Sequence, residues 1–355
     1  MTIFKRSDHS RLSLQTWEFT GTALVNLFVW LLVVVYLFPL SYMVVTSLKN
    51  REQFLDPNAP LYPAERMRMT YQGRELIVYQ VPLQGGSHPL GLLKAGRVSS
   101  QFVDPENPEA GIITWEGNWR LLRAVYQFKL STSNFSEFMS GLDPALLLKN
   151  SLAVALIGEF GVLCSSIMVA YGFSRFRIPG GKYLFLLLIA TIIIPDSITL
   201  IPTYFMYVRI LDWNGTWLPL VVPHFFSSAI FVFLLRQNFK SIPKELDEAA
   251  MLDGAGPVRI LVSIILPQSI PTVSTVALLH FFYAWNEIRN ASLYLGIAPQ
   301  LRTFAFSVQT FQSFFGGTPE MLQVGALVAM SAPVLVLFLA QRLFMQDMVI
   351  TGMEK

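Results

Sequence analysis

The chain has 355 residues, 53% of them hydrophobic and only 14% charged, with a formal net charge of +3 and a mean hydropathy of +0.49. Soluble domains carry about 25% charged residues, so this composition is that of a membrane-embedded protein. No basic cluster or aromatic–basic interleaving points to nucleic acid, and Cys164, the only cysteine, excludes an internal disulfide and a Cys-based metal site.

Residues 1–21 carry Lys5, Arg6 and Arg11 ahead of a long apolar run. That run exceeds a signal-peptide core and no small-residue cleavage pattern follows it, so a retained first span is expected. About 20 apolar residues cross a bilayer as a helix. Six segments qualify: 22–47, 148–173, 183–208, 218–238, 268–294 and 322–345. Pro195 and Pro202, Pro219 and Pro223, Pro271 and Pro333 interrupt the last four. Prolines are tolerated in spans where neighbouring helices re-satisfy the freed carbonyls, so a packed, kinked bundle is expected.

Residues 48–147, between spans one and two, differ from the rest, with ten Lys and Arg balanced by ten Asp and Glu. MRMTYQGRELIVYQVPL, residues 67–83, alternates apolar and polar side chains around Gln72-Gly73, the pattern of a β-hairpin. VSSQFVDPENPEAGIITWEGNWRLL, residues 98–122, offers further short strands broken by Pro, Asn and Gly. A small β-rich domain is expected over about 64–131, since its Tyr, Trp, Ile and Val content argues against a disordered loop.

Short-loop Lys and Arg mark the cytoplasmic side. Arg175, Arg177 and Lys182 follow span two, and Lys240, Lys244 and Arg259 follow span four, with Arg236 at its edge. On the opposite side the 209–217 loop has Arg209 at its margin and the 295–321 loop has only Arg302. Both termini and the 241–267 loop are therefore expected inside and the 48–147 segment outside, since long loops cross largely regardless of charge.

The loop contains ELDEAAMLDGAGPVRILVSIILP, residues 245–267. Pro243 suits a first helical turn, and Glu245, Asp247 and Glu248 then lie at the positive end of the helix dipole. Three-and-four spacing places Leu246, Ala249, Ala250 and Asp253 on one face, where the alanines leave room for another body. Gly254 can end the helix in a left-handed conformation, and Pro257 can begin a second, apolar helix leading to span five.

Glu248-Ala249-Ala250, Gly254, Ile264 and Leu266-Pro267 stand in the register of the coupling loop of ABC importer permeases, seven positions at fixed spacing. The chain resembles that family, and NSLAVA at 150–155, YGFSRFRIPGGK at 171–182, FLLRQNFKSIPKELDEAA at 233–250 and AWNEI at 284–288 resemble its sugar-importer branch, closest to the smaller six-span permease of maltose-type importers. The resemblance covers roughly 20–63 and 132–355, so the intervening residues read as an insertion. It implies an all-α polytopic membrane protein: a six-span permease bundle, with a five-span core over 148–355, and a small β-rich extracytoplasmic domain inserted between spans one and two. It implies a second permease, two ATPase subunits that carry the ATP and Mg, an extracytoplasmic solute-binding protein, and the inner membrane of a prokaryote. The cargo it implies is a sugar, oligosaccharide or polyol derivative, with another small solute as the alternative. In maltose-type importers the sugar contacts concentrate on the other permease.

The chain has no GxxxxGK[ST]: Gly180-Gly181-Lys182-Tyr183 lacks the upstream Gly and the hydroxyl, so ATP must bind elsewhere and no cofactor is expected on this chain. A membrane-anchored sensor or enzyme would need a catalytic constellation in the insertion, and a secondary transporter would need inverted repeats with paired intramembrane acids; neither pattern is visible. Ionisable groups inside spans are functional suspects. Glu159, between Gly158 and Gly161, reads as a pathway residue or a buried bridge between helices. Asp196 reads as a cap on the backbone broken at Pro195 or a substrate contact, and His280 as a packing or pathway histidine. Asn286 and Glu287 read as gate lining or interfacial anchors. Trp213, Trp217 and Trp285 are expected in the interface belt. His9, His88, His224 and His280 are too scattered in sequence to suggest a metal cluster.

Overall fold

The computed structural model describes residues 9–83, 86–314 and 319–351. Lys5 and Arg6 of the expected cytoplasmic N-terminus, and residues 352–355 at the other end, lie outside them. The described residues fall into two compact units, one running to Phe138 and taking in the start of the last helix, the other holding the remaining helices.

In the first unit the helix His9–Ser47 contains a stretch, Thr20–Ser47, long and apolar enough to cross a bilayer. Its last carbonyls have no intrahelical partner. The buried Asn134 amide supplies one, donating to Ser47 O at 2.8 Å and to Lys49 O at 2.7 Å. Gln53, 2% exposed, then organises the following loop. Its amide donates to Pro60 O and Tyr62 O and accepts from Ala64 N–H.

Eight short strands follow over 64–128: β1 (Ala64–Arg66), β2 (Arg68–Tyr71), β3 (Arg74–Leu83), β4 (Gly86–Lys94), β5 (Ser99–Val103), β6 (Ile112–Glu116), β7 (Arg123–Ala124) and β8 (Tyr126–Phe128). The main sheet runs β2-β3-β4-β5-β6, all antiparallel, with β7 on β3. The expected hairpin is present: β2 and β3 meet at Gln72 (φ 50) and Gly73 (φ 75), the paired positive φ of a type I′ turn. Tyr79, Val81, Leu90 and Phe102 form the core, with Trp115 and Trp119 packed at its edge. Strand β4 is absent from the sequence-based expectation because Pro89 and Gly91 within GSHPLGLLK argue against a central strand. Met69 packs over Gly91: a Cβ there would stand 2.3 Å from Met69 Sδ, so any larger residue would displace that side chain.

The insertion is closed at its neck. β1 pairs with β8, Ala64 opposite Phe128 and Arg66 opposite Tyr126. Asp56, just upstream, reaches across both strands: its Oδ2 accepts from Tyr126 Oη at 2.7 Å and from Arg66 Nη2 at 3.3 Å, and its Oδ1 accepts from Asn58 N–H at 2.9 Å.

In the second unit the helix Pro144–Arg175 begins with Pro144 in the first turn and Asp143 accepting from Leu146 N–H at 3.0 Å, a sequence-encoded start. This helix, Leu218–Ser241 and Pro319–Gln341 are each long and apolar enough to cross a bilayer. The expected third and fifth spans are not straight helices. Gly181–Ile193 and Asp196–Ile210 meet at 93°, because Pro195 holds Ile194 in an extended conformation, ψ 115°. Pro257–Gln268 and Ile270–Trp285 meet at 82° around Ser269, ahead of Pro271. The fifth expected span, 268–294, is corrected accordingly: its apolar helix ends at Trp285, and Arg289–Tyr294 is a separate short helix. Counting each bent pair as one span gives up to six candidate crossings among the described residues, by length and composition.

The neck of the insertion yields a pH-dependent prediction. Burial alone would raise the Asp56 carboxyl, but hydrogen bonds from Tyr126 and the Asn58 N–H, with the Arg66 charge, hold it below its ordinary value of 3.8. A depressed carboxylate stabilises the fold above its unfolded pKa and loses that contribution as the pH falls through the folded value. Asp56→Asn should destabilise the 64–128 sheet by about 1 kcal/mol at neutral pH. Denaturation followed at β1 and β8 by hydrogen exchange should show the difference from wild type at neutral pH and its disappearance well below pH 3.8.

Candidate functional site

The 245–267 stretch folds as its sequence dictates. Glu245–Leu252 is a helix with Glu245, Asp247 and Glu248 in its first turn. Gly254, at φ +79, ends it. The N–H groups of Gly254 and Ala255 donate back to Met251 O (3.0 Å) and Ala250 O (2.9 Å), the two bonds of a Schellman cap. Pro257 opens the next helical turn, Pro257–Ile260, and a π-helical turn over Leu261–Ile265 carries the chain into Leu266–Gln268. Ile264 and Leu266 pack half-buried against a core built on Val232, Leu235, Phe239 and Ile265, while Pro267 is exposed.

One helix end holds this whole stretch. Arg175, the last residue of Pro144–Arg175, places Nε 2.7 Å from Asp247 Oδ2, and the two side chains are only 5% and 8% exposed. Arg175 Nη2 also donates to Ile242 O at 3.0 Å, and one turn back Tyr171 Oη donates to Pro257 O at 3.0 Å. The grip thus reaches the segment before the helix, the helix itself and the start of the second helix. Asp247 lies in the first turn, as expected, with its side chain turned inward to Arg175. One sequence-based expectation is corrected: Ala250 packs half-buried on the core instead of sharing the open face. Helical spacing explains the division: Asp247 and Ala250 are three apart on the inner side, while Leu246, Ala249 and Asp253 lie three and seven apart on the exposed side. Glu245, Glu248 and Leu252 are exposed too, Leu252 by 91%.

A second polar constellation lies among the spans. Glu159 Oε2 is 2.8 Å from His280 Nδ1, and His280 Nε2 is 3.2 Å from His224 Nδ1. Glu159 is on Pro144–Arg175, His280 on Ile270–Trp285 and His224 on the 3-10 turn Val222–Phe226. Glycines make this approach possible: a Cβ on Gly158 would sit 3.1 Å from His224 and 3.3 Å from His280, and one on Gly161 would sit 2.6 Å from Phe225. Glu159 and His280 therefore meet as a buried bridge, and His224, distant in sequence, completes it. No group of three or more His, Cys, Asp or Glu suited to a metal ion occurs among the described residues.

The other sequence-selected residues gather near the break in the third span. Asp196 does not cap the broken backbone. It is the first residue of its helix, and its carboxylate faces Arg289 Nη2 at 3.3 Å. Asn286 caps the end of Ile270–Trp285, donating to Phe282 O at 2.9 Å, and Glu287 accepts from Asn290 N–H at 2.9 Å. Trp285 is corrected from a belt residue to a core one: it is 2% exposed and its indole N–H donates to Ala329 O at 3.0 Å. Trp217 donates to Leu301 O at 2.8 Å, and Trp213 stacks on Tyr207 with centroids 5.1 Å apart. In the sequence Arg175 reads only as a topological charge and His224 only as a scattered histidine, and nothing marks Tyr171 or Arg289, because their roles depend on partners remote in sequence.

Residues 161–350 match the family model for the binding-protein-dependent transport system inner membrane component. The chain is 29% identical to the osmoprotective compounds uptake permease protein GgtD of Synechocystis over 251 residues, 69% of this chain and 82% of that protein. It is 29% identical to the trehalose/maltose transport system permease protein MalG of Thermococcus litoralis over 234 residues, 64% of this chain and 81% of that one. Its fold is similar to a chain in the crystal structure of a bacterial ABC transporter involved in the import of the acidic polysaccharide alginate, with a TM-score of 0.59 at 18% identity, covering 96% of this chain and 99% of the other. With over half its length matched by the family model, the chain belongs to the binding-protein-dependent transport system inner membrane components: it is a multi-pass permease subunit of an ABC importer, with ATP hydrolysis left to other subunits.

Proposed function

We propose that this permease has six spans with both termini in the cytoplasm and the 64–128 sheet outside, and that it imports a sugar, oligosaccharide or polyol derivative. It pairs with a second permease and with two ATPase subunits that hold ATP and Mg. A solute-binding protein delivers the cargo to the outer face, which carries the insertion. The 241–267 element is the coupling loop. Glu245, Leu246, Glu248, Ala249 and Asp253 face the ATPase, while Asp247, Ala250, Ile264 and Leu266 tie the loop to the bundle. Closure of the ATPases on ATP moves this element and, through it, the fifth span.

One observation carries this reading. A short acidic helix is fixed on its inner side by Arg175, with Tyr171 holding the start of the next helix, and leaves acidic and apolar side chains, Leu252 among them, exposed on its outer side. The cargo class is supported by the trehalose/maltose permease among the relatives, and the orientation by the short basic loops.

The topology has a direct check. In a Cys164→Ser background, Ser87→Cys in β4 should react with a membrane-impermeant thiol reagent in intact cells and Arg177→Cys should not; both sites are exposed in the fold. The opposite pattern would invert the topology. For coupling, Glu248→Lys should juxtapose like charges at the ATPase, at a cost of several kcal/mol, and Gly254→Val should strain a turn held at φ +79. Both variants should insert normally yet lose ATPase recovery in pull-downs and radiolabelled uptake; normal values for both would remove this element from the coupling role. For the clamp, Asp247→Asn leaves the Arg175 charge buried and unpaired, which should cost about 3–5 kcal/mol, while combining Arg175→Met with Asp247→Leu should recover most of that loss in thermal unfolding.

A further inference from the structure

A cavity of about 190 Å³ opens beside the break in the third span. Its walls come from Asp196–Phe205 and the π turn after it, from the end of Ile270–Trp285 and from Arg289–Tyr294. Complete small-molecule pockets run to roughly 300–1,000 Å³, so this one has room for a small polyol or for one ring of a longer chain.

Its chemistry is specific. Tyr207, Tyr283 and Tyr294 supply aromatic wall, and Tyr207 and Tyr294 are fixed by mutual contact at 5.8 Å between centroids. Thr203 and Asn290 add neutral polar groups. The charges are two carboxylates, Asp196 and Glu287, against one guanidinium, Arg289. Arg289 faces Asp196 at 3.3 Å, and no ion pair to Glu287 occurs among the described residues, so the lining carries one carboxylate in excess. His224 also borders the cavity, and its Nδ1 is engaged by His280. A carboxylate or phosphate entering here would meet a lining with two carboxylates against one guanidinium, a net like charge. A neutral polyhydroxylated ring meets no such penalty. Its hydroxyls can donate to Glu287 and accept from Asn290, and its C–H face can lie on a tyrosine ring.

We propose that this cavity is a cargo contact on this subunit, taking one ring or polyol unit of a neutral polyhydroxylated solute and turning anionic sugars away. The inference rests on the sugar-importer reading, and it departs from the expectation that sugar contacts lie on the other permease.

The test uses the assembled importer in nanodiscs with Cys164→Ser and a single reporter, Thr203→Cys. Concentrated maltose should slow alkylation of that cysteine about ten-fold more than glucuronate does, the scale of one or two hydrogen bonds to a charged group. Glu287→Gln in the same background should narrow the difference between the two probes. Equal protection by both, or by neither, overturns the proposal, as does a difference that Glu287→Gln leaves untouched. Asn290→Cys serves as the reporter if Thr203→Cys does not assemble. The underlying reading is measured separately, by ATP hydrolysis stimulated with the binding protein across a panel of neutral sugars. Stimulation without protection overturns the cavity assignment alone; absence of both overturns the assignment together with the sugar-importer reading.

Discussion

The burial of the Asp247 carboxylate against the Arg175 guanidinium is the constraint on which the 241–267 element of this permease depends. Each side chain is more than nine-tenths removed from solvent, and a charge so placed is tolerable only with its partner in position. The pair therefore fixes which way Glu245–Leu252 rolls. With Asp247 turned in, helical spacing forces Leu246, Ala249 and Asp253 outward, and the Schellman turn at Gly254 reverses the chain towards Pro257, where Tyr171 holds the next carbonyl. Such a pair adds little net stability over apolar packing. Its value lies in register, since a one-residue roll of the helix would leave both charges unpaired.

The same economy of contacts governs the bundle. Two spans are bent by 93° and 82° rather than continuous, and both bends sit where proline removes a backbone donor or constrains its neighbour. Gly158 and Gly161 let the 222–226 turn approach Pro144–Arg175 closely enough for His224 to reach His280, and through it Glu159. The chain is continuous from Pro257 through the π turn to Trp285. A displacement of the 245–267 element therefore has a covalent route into Ile270–Trp285, and that helix carries the histidine of the buried bridge and ends at the cavity.

Local signals were legible in the sequence, and remote partners were not. Gln72-Gly73 announced its hairpin because the turn needs positive φ at both positions. Pro243, Gly254 and Pro257 announced the helix-turn-helix, and the apolar runs announced the crossings. Strand β4 was hidden because its Pro and Gly content contradicts a central strand, which its neighbours on both sides nevertheless pair. Asp247 is the first-turn carboxylate its position implies, but its pairing was hidden because Arg175 lies 72 positions upstream, at a helix end whose arginine also serves as a topology signal. Asp196 looked like a cap for the same reason: the cation that engages it, Arg289, lies 93 positions away.

The central claim is that the exposed face of Glu245–Leu252 docks on the ATPase. Leu252, at 91% exposure, is its most exposed large apolar side chain. Leu252→Cys in a Cys164→Ser background, combined with single cysteines around the cleft of the ATPase subunit, allows oxidative cross-linking in the assembled, transporting complex. The account predicts an efficient cross-link whose yield changes when ATP closes the ATPases. An intact, active complex in which Leu252→Cys cross-links to no ATPase position would contradict it.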